Sequence, residues 1–131
     1  ILKNNLSENI KLFDYTDKIY LYMKNSNAFI LPSLWEEIGF VIVEAALCNT
    51  SIISSNCKNG PIEFLMDGNA GLLFENNCND ALLKKLIEFK KLNQNDIFKK
   101  KLLAKKNSKK FTMFRHYIDL KNIIETKEEY I

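Results

Sequence analysis

"NAFILPSLWEEIGFVIVEAALCNTSIIS", residues 27–54, decides the fold. NAFILP (27–32) is a nearly continuous apolar run stopped by Pro32. That is the pattern of a strand buried on both faces of a parallel sheet. Residues 33–38 read as a loop. Gly39 opens a helix to about Leu47, and SIIS (51–54) is a second buried strand. Two short buried strands joined through a helix imply parallel pairing, because parallel strands need a crossover.

The same reading extends in both directions. NIKLF (9–13) reads as a strand ending before Asp14. Asp17 is placed to cap the helix DKIYLYMKNS, with Ile19, Tyr20 and Met23 on one face. After the loop NCKNGP, Pro61 suits the first turn of the helix PIEFLMD, which Gly68 ends. GLLF (71–74) is a fourth strand. Asn79 or Asp80 caps a helix from about 80 to 92, and two more helices follow, the last over 112–126 with Thr112 at its start. The expected order is β-α-β-α-β-α-β-α-α-α. This is an α/β, Rossmann-like fold, a parallel sheet with helices on both faces.

The 131 residues suffice for one domain with a real core, 1–131. The chain begins at Ile1 and not Met, so it is expected to be an excerpt of a longer protein. No apolar run approaches the roughly 18–20 residues of a membrane span. Cys48, Cys57 and Cys78 show no C-x-x-C spacing and His116 is the single histidine, so no metal site is expected. An odd cysteine count without a disulfide pattern suits a reducing, cytoplasmic setting.

Charge is uneven. Residues 1–83 carry 5 Lys and 10 acids, whereas residues 84–110 carry 11 Lys and 2 acids, net +9. That block is a candidate contact for an anionic membrane at the inner face of the cell. Its basic residues are all Lys, without the Arg fork of base recognition, and no nucleic-acid partner is expected.

The candidate site follows from the sheet. Ligands of an open parallel sheet bind beyond the carboxyl ends of its strands, where loop 33–38 lies. Free N–H groups and the helix dipole at the Gly39 helix start make an anion site. Glu44, about one and a half turns into the helix, can point up the same edge, and Glu36 sits on the other side of the glycine. A phosphate over the helix start, with carboxylates on either side to accept from hydroxyls, describes a nucleotide sugar.

LPSLWEEIGFVIVEAA also resembles the signature of the family 4 retaining glycosyltransferases, roughly P-S-x-x-E-G-F-G-x-x-x-x-E-A. The family's two glutamates are separated by seven residues, as are Glu36 and Glu44. SIISSNCKNGPIEFL, DGNAGLLF and FTMFRHYIDLKNIIE are similar to later family elements. The resemblance covers most of residues 9–125, more loosely in the lysine-rich part. It implies the C-terminal, donor-binding half of a GT-B enzyme. Glu44 would bind the ribose hydroxyls, and Glu36 would contact the transferred sugar near the reacting carbon. The backbone at Ile38, Gly39, Phe40 and Val41 would bind the diphosphate, and the loop at Phe13 and Asp14 would lie near the base. The family implies no metal or other cofactor. It also implies a nucleotide-sugar donor, here a UDP-hexose or UDP-N-acetylhexosamine. The acceptor would be a glycan or lipid-linked molecule of bacterial envelope synthesis, held mainly by an N-terminal domain. Two residues depart from the pattern, Glu37 for a glycine and Ile38 for a phenylalanine, and the family's Arg/Lys diphosphate pair falls upstream of residue 1. The rival readings are a sugar-nucleotide epimerase of the same architecture and a non-catalytic nucleotide-binding module. Trp35, Tyr20 and Tyr22 are expected in packing roles, Glu63 as a cap of its own helix, and His116 not as a base.

Overall fold

The computed structural model describes residues 6–37 and 39–128. Its centre is β2 (Ser51–Ser55), flanked by β1 (Ala28–Leu31) and β3 (Leu72–Phe74) in the order β1-β2-β3, every pair parallel. Phe29 lies opposite Ile52, and Ile53 opposite Leu72. Successive strand residues point to opposite faces, so Ile52 and Ile53 enter different cores. On the Ile52 side the core is closed by Met23 of α1 (Ile19–Asn25) and by Ile42, Val43, Ala45 and Ala46 of α2 (Phe40–Leu47). Phe64 of α3 (Gly60–Phe64) and Ala104 of α5 (Gln94–Ser108) complete it. On the Ile53 side, Leu72 and Phe74 pack against Ala81, Leu82, Leu86 and Phe89 of α4 (Asn79–Lys91). A 3-10 turn (Lys109–Phe111) leads into α6 (Met113–Glu128). The molecule is thus the expected Rossmann-like α/β fold with helices on both faces.

The sheet departs from expectation at one side. NIKLF forms no strand. Leu12 and Phe13 are 84% and 61% exposed, and the Phe13 ring leans on Tyr22 at 4.8 Å. A short apolar run becomes a strand only where a neighbour takes its backbone hydrogen bonds, and among the described residues nothing pairs with the outer edge of β1. Nor is β1 buried on both faces. Ile30 is 39% exposed, because α4 covers β2 and β3 on that face and stops short of β1.

Two of the expected caps differ. Lys18, not Asp17, stands at the N-cap of α1, and the nearby backbone is turned by the Lys18 N–H donating to Thr16 Oγ1 at 3.1 Å. Cys78 occupies the α4 N-cap with no side-chain bond, leaving Asp80 in the first turn to favour the helix dipole. Thr112 starts α6 as expected, its Oγ1 accepting the Arg115 N–H at 3.2 Å. Gly71 is needed for space: a Cβ there would stand 2.8 Å from the Ile52 carbonyl oxygen and 2.9 Å from Leu65 Cδ2.

The lysine-rich block spans two helices. α4 packs on the Ile53 side of the sheet and α5 on the Ile52 side, but only Leu92 and Asn93 separate the two helices, and Lys90 and Lys101 line the same pocket. Lys100 turns inward and donates to the carbonyls of Gly68 and Gly71 at 2.6 and 3.2 Å. Among the described residues no helix is long and apolar enough to cross a membrane.

Candidate functional site

The loop from Pro32 to Gly39 runs along the carboxyl edge of the sheet and is fastened from three sides. Ser55, fully buried at the end of β2, donates its hydroxyl to the Ser33 carbonyl at 2.6 Å. Beyond β3, Asn76 Nδ2 donates to the Leu34 carbonyl at 2.8 Å, and the Asn76 N–H is held by Asn56 Oδ1 at 2.8 Å. At the start of α3 the Gly60 N–H donates to the Glu37 carbonyl at 2.6 Å. The last connection is preceded by Asn59, with φ 74° and ψ −122°. Three separate segments therefore set the path of a loop that has no regular structure of its own.

That path ends at Gly39, in the left-handed region with φ 66° and ψ 57°, at the N-cap of α2. No side chain caps the helix. The first-turn N–H groups of Phe40 and Val41 have no intrahelical acceptor and add to the positive end of the dipole. Phe40 is 59% exposed, Val41 half-buried.

Of the two glutamates, Glu36 lies in the loop beside Gly39 and Glu44 lies on α2 facing α1. Ser33 Oγ donates to Glu36 Oε1 at 2.7 Å, and Glu36 Oε2 lies 3.6 Å from where a Cβ on Gly39 would be. The half-buried carboxylate therefore rests over the start of α2, with one oxygen engaged. Glu44 is half-buried on α2, and the Tyr20 hydroxyl donates to its Oε1 at 3.4 Å. The Glu44 charge, then desolvation, then that hydrogen bond hold the Tyr20 hydroxyl above its ordinary pKa. Glu37 is exposed, its carboxylate in solvent and its carbonyl tied to Gly60. The α2 start thus offers two free N–H donors with the Glu36 carboxylate beside them, and Glu44 lies further along the same helix.

The other expected residues have the following surroundings. Phe13 is held by Tyr22, which lies about 200° around α1 from Tyr20. No hydrogen bond or ring contact joins Phe13 or Asp14 to Glu36 or Glu44. Ile38 lies outside the described residues. Trp35 is 66% exposed and so does not serve as a packing residue. Tyr20 and Tyr22, also expected in packing roles, are 51% and 45% exposed, one meeting Glu44 and the other Phe13. Glu63 sits in the first turn of α3, where its charge favours the dipole, without a side-chain cap bond. Among the described residues no group of three His, Cys, Asp or Glu side chains is placed to hold a metal ion. Sequence reasoning missed Ser33, Ser55, Asn56 and Asn76. Ser33 alone had a linear signal, a hydroxyl three residues before Glu36. The others meet the loop from 20 or more residues away.

A sequence profile described as Glycosyl transferases group 1 matches residues 1–111. The chain belongs to this family. An uncharacterized glycosyltransferase of Methanocaldococcus jannaschii is 31% identical over 129 residues, covering 95% of this chain and 35% of that protein. An N-acetylgalactosamine-N,N'-diacetylbacillosaminyl-diphospho-undecaprenol 4-alpha-N-acetylgalactosaminyltransferase of Campylobacter jejuni is 29% identical over 91 residues, 67% of this chain and 25% of that protein. Among solved structures, sucrose-phosphate synthase from Thermosynechococcus elongatus superposes with a TM-score of 0.82 at 19% identity, over 99% of this chain and 33% of that one. At that identity the likeness concerns the fold, the Rossmann-like α/β architecture of GT-B glycosyltransferases. The group 1 chain described here spans about a third or less of the length of these relatives.

Proposed function

We propose that this group 1 glycosyltransferase chain is the donor-binding, C-terminal half of a retaining family 4 enzyme. Its donor is a nucleotide sugar, a UDP-hexose or UDP-N-acetylhexosamine. The sugar goes to a glycan or lipid-linked acceptor of bacterial envelope synthesis, held mainly by a second domain. The Campylobacter relative, whose name specifies a diphospho-undecaprenol acceptor, supports the lipid-linked class. The observation that carries the reading is the uncapped start of α2 at Gly39 with the Glu36 carboxylate beside it, on a helix that also carries Glu44.

In this reading the N–H groups of Phe40 and Val41, with the backbone at Ile38 and Gly39, face the diphosphate. They stabilise the negative charge that grows on it as the sugar departs, and being fixed beforehand they need no reorganisation. Glu44 accepts from the ribose hydroxyls. Glu36 meets the sugar close to the reacting carbon, where positive character develops. The loop at Phe13 and Asp14 lies near the base. The reaction uses no metal. Calorimetry of the full-length protein with UDP, GDP and ADP tests the core of the reading. Binding of UDP ahead of the other two is expected, and a folded protein that binds none of the three would refute it.

A further inference from the structure

The geometry points to Ser33 as a positioning residue for Glu36: its hydroxyl holds Oε1 so that Oε2 alone is presented over the α2 start to the donor sugar. This rests on the donor-binding reading of the site and goes beyond it in saying what aims the carboxylate.

A glutamate on a loop has three side-chain torsions and no reason to prefer one direction. Here the direction is set by a 2.7 Å bond from Ser33 Oγ to Oε1. A hydroxyl donating to a carboxylate is among the stronger hydrogen bonds in proteins. It is useful only if the serine is itself fixed, and the structure fixes it. The Ser33 carbonyl accepts from Ser55 Oγ at 2.6 Å, and Ser55 is fully buried in the central strand. The next residue's carbonyl is held by Asn76 Nδ2 at 2.8 Å. On the other side of Glu36, the Glu37 carbonyl is held by the Gly60 N–H at 2.6 Å. The backbone is thus pinned before and after Glu36, and the Ser33 hydroxyl closes the one remaining freedom. Oε2 then lies 3.6 Å from the Cβ position of Gly39, the N-cap of α2. One oxygen serves the protein and the other serves the ligand. A single acceptor in a fixed place selects a sugar hydroxyl by position, and a misplacement of about 1 Å at such a point can cost on the order of 10²-fold in rate.

The test uses the full-length protein and the release of UDP from UDP-glucose and UDP-N-acetylglucosamine, taking the donor that turns over faster. Ser33→Ala removes the hydroxyl. Ser33→Thr keeps it. Ser33→Ala is expected to lower kcat by about tenfold or more while leaving the Kd for UDP within about twofold, since UDP carries no sugar to misalign. Ser33→Thr should recover most of the loss. In Glu36→Gln, already impaired, adding Ser33→Ala should cost little further, because the two act through one carboxylate. An impaired Glu36→Gln with an unimpaired Ser33→Ala, or losses that simply add, would overturn the positioning role and leave the site reading intact. Full activity in Glu36→Gln would overturn both. Urea melts of each variant identify a Ser33→Ala that fails by unfolding. In that case Ser33→Thr must restore both stability and kcat, and restored stability with kcat still low counts against the proposal.

Discussion

At Gly39 two demands on one residue can be separated. The sequence suggested a glycine that lets a ligand approach the backbone. The structure shows a left-handed φ of 66°, which a side chain opposes whatever the space, while a Cβ would meet Glu36 Oε2 only at an ordinary 3.6 Å. Gly39→Ala is therefore expected to destabilise the fold by about 1–2 kcal/mol, measured by urea denaturation, through strain and not through collision. Glu44 gives a second prediction. Glu44→Ala should weaken UDP binding by about 1–3 kcal/mol in calorimetry, the range for losing a charge-assisted hydrogen bond, with little change in melting temperature. The same substitution should let the Tyr20 hydroxyl ionise earlier in an absorbance titration, because the neighbouring charge that raises its pKa is gone. The sign follows from that raised value. Whatever the contact adds to stability is present below the ordinary tyrosine pKa of about 10 and is lost as the hydroxyl ionises above it.

Among the elements, the tie between α5 and α3 is open to a direct test. α3 is only five residues long, and the carbonyl of its last residue, Phe64, accepts from Asn107 Nδ2 at 2.8 Å inside the protein. Asn107→Leu would leave that carbonyl without its donor and is expected to cost about 1–3 kcal/mol in a thermal or urea melt. The elements also show what a linear reading can reach. SIIS and GLLF were legible because their apolar residues sit between turn-formers, and the α2 helix because glycine marks its start. NIKLF is also a short run rich in apolar residues and is not a strand, since pairing depends on a neighbour that no local pattern records. Ile30 looked buried because its own strand is apolar; its exposure is set by where α4 ends. Glu36 and Glu44 were legible as a spaced pair. Ser55 and Asn76 were not, because they reach the loop through the sheet rather than along the chain.

For the molecule as a whole, the net +9 of residues 84–110 lies on α4, α5 and the turn after it, and the two helices adjoin where Lys90 and Lys101 line one pocket. The proposed transfer uses backbone N–H groups, and no metal ion, to balance the leaving diphosphate. Full-length protein treated with EDTA is therefore expected to release UDP from its donor at an unchanged rate. A fall that added magnesium or manganese restores would contradict that part of the proposal.

Strand β2 carries a further consequence, for how the domain opens. Its two isoleucines, each almost fully buried, belong to different cores. β1 or α1 can loosen while one core persists, and α4 can lift while the other persists. The backbone amides of Ile52 and Ile53 reach solvent only when both cores are given up together. Hydrogen–deuterium exchange should accordingly be slowest there and report the full unfolding free energy, whereas amides at the free edge of β1 and along α6 should exchange through smaller local openings.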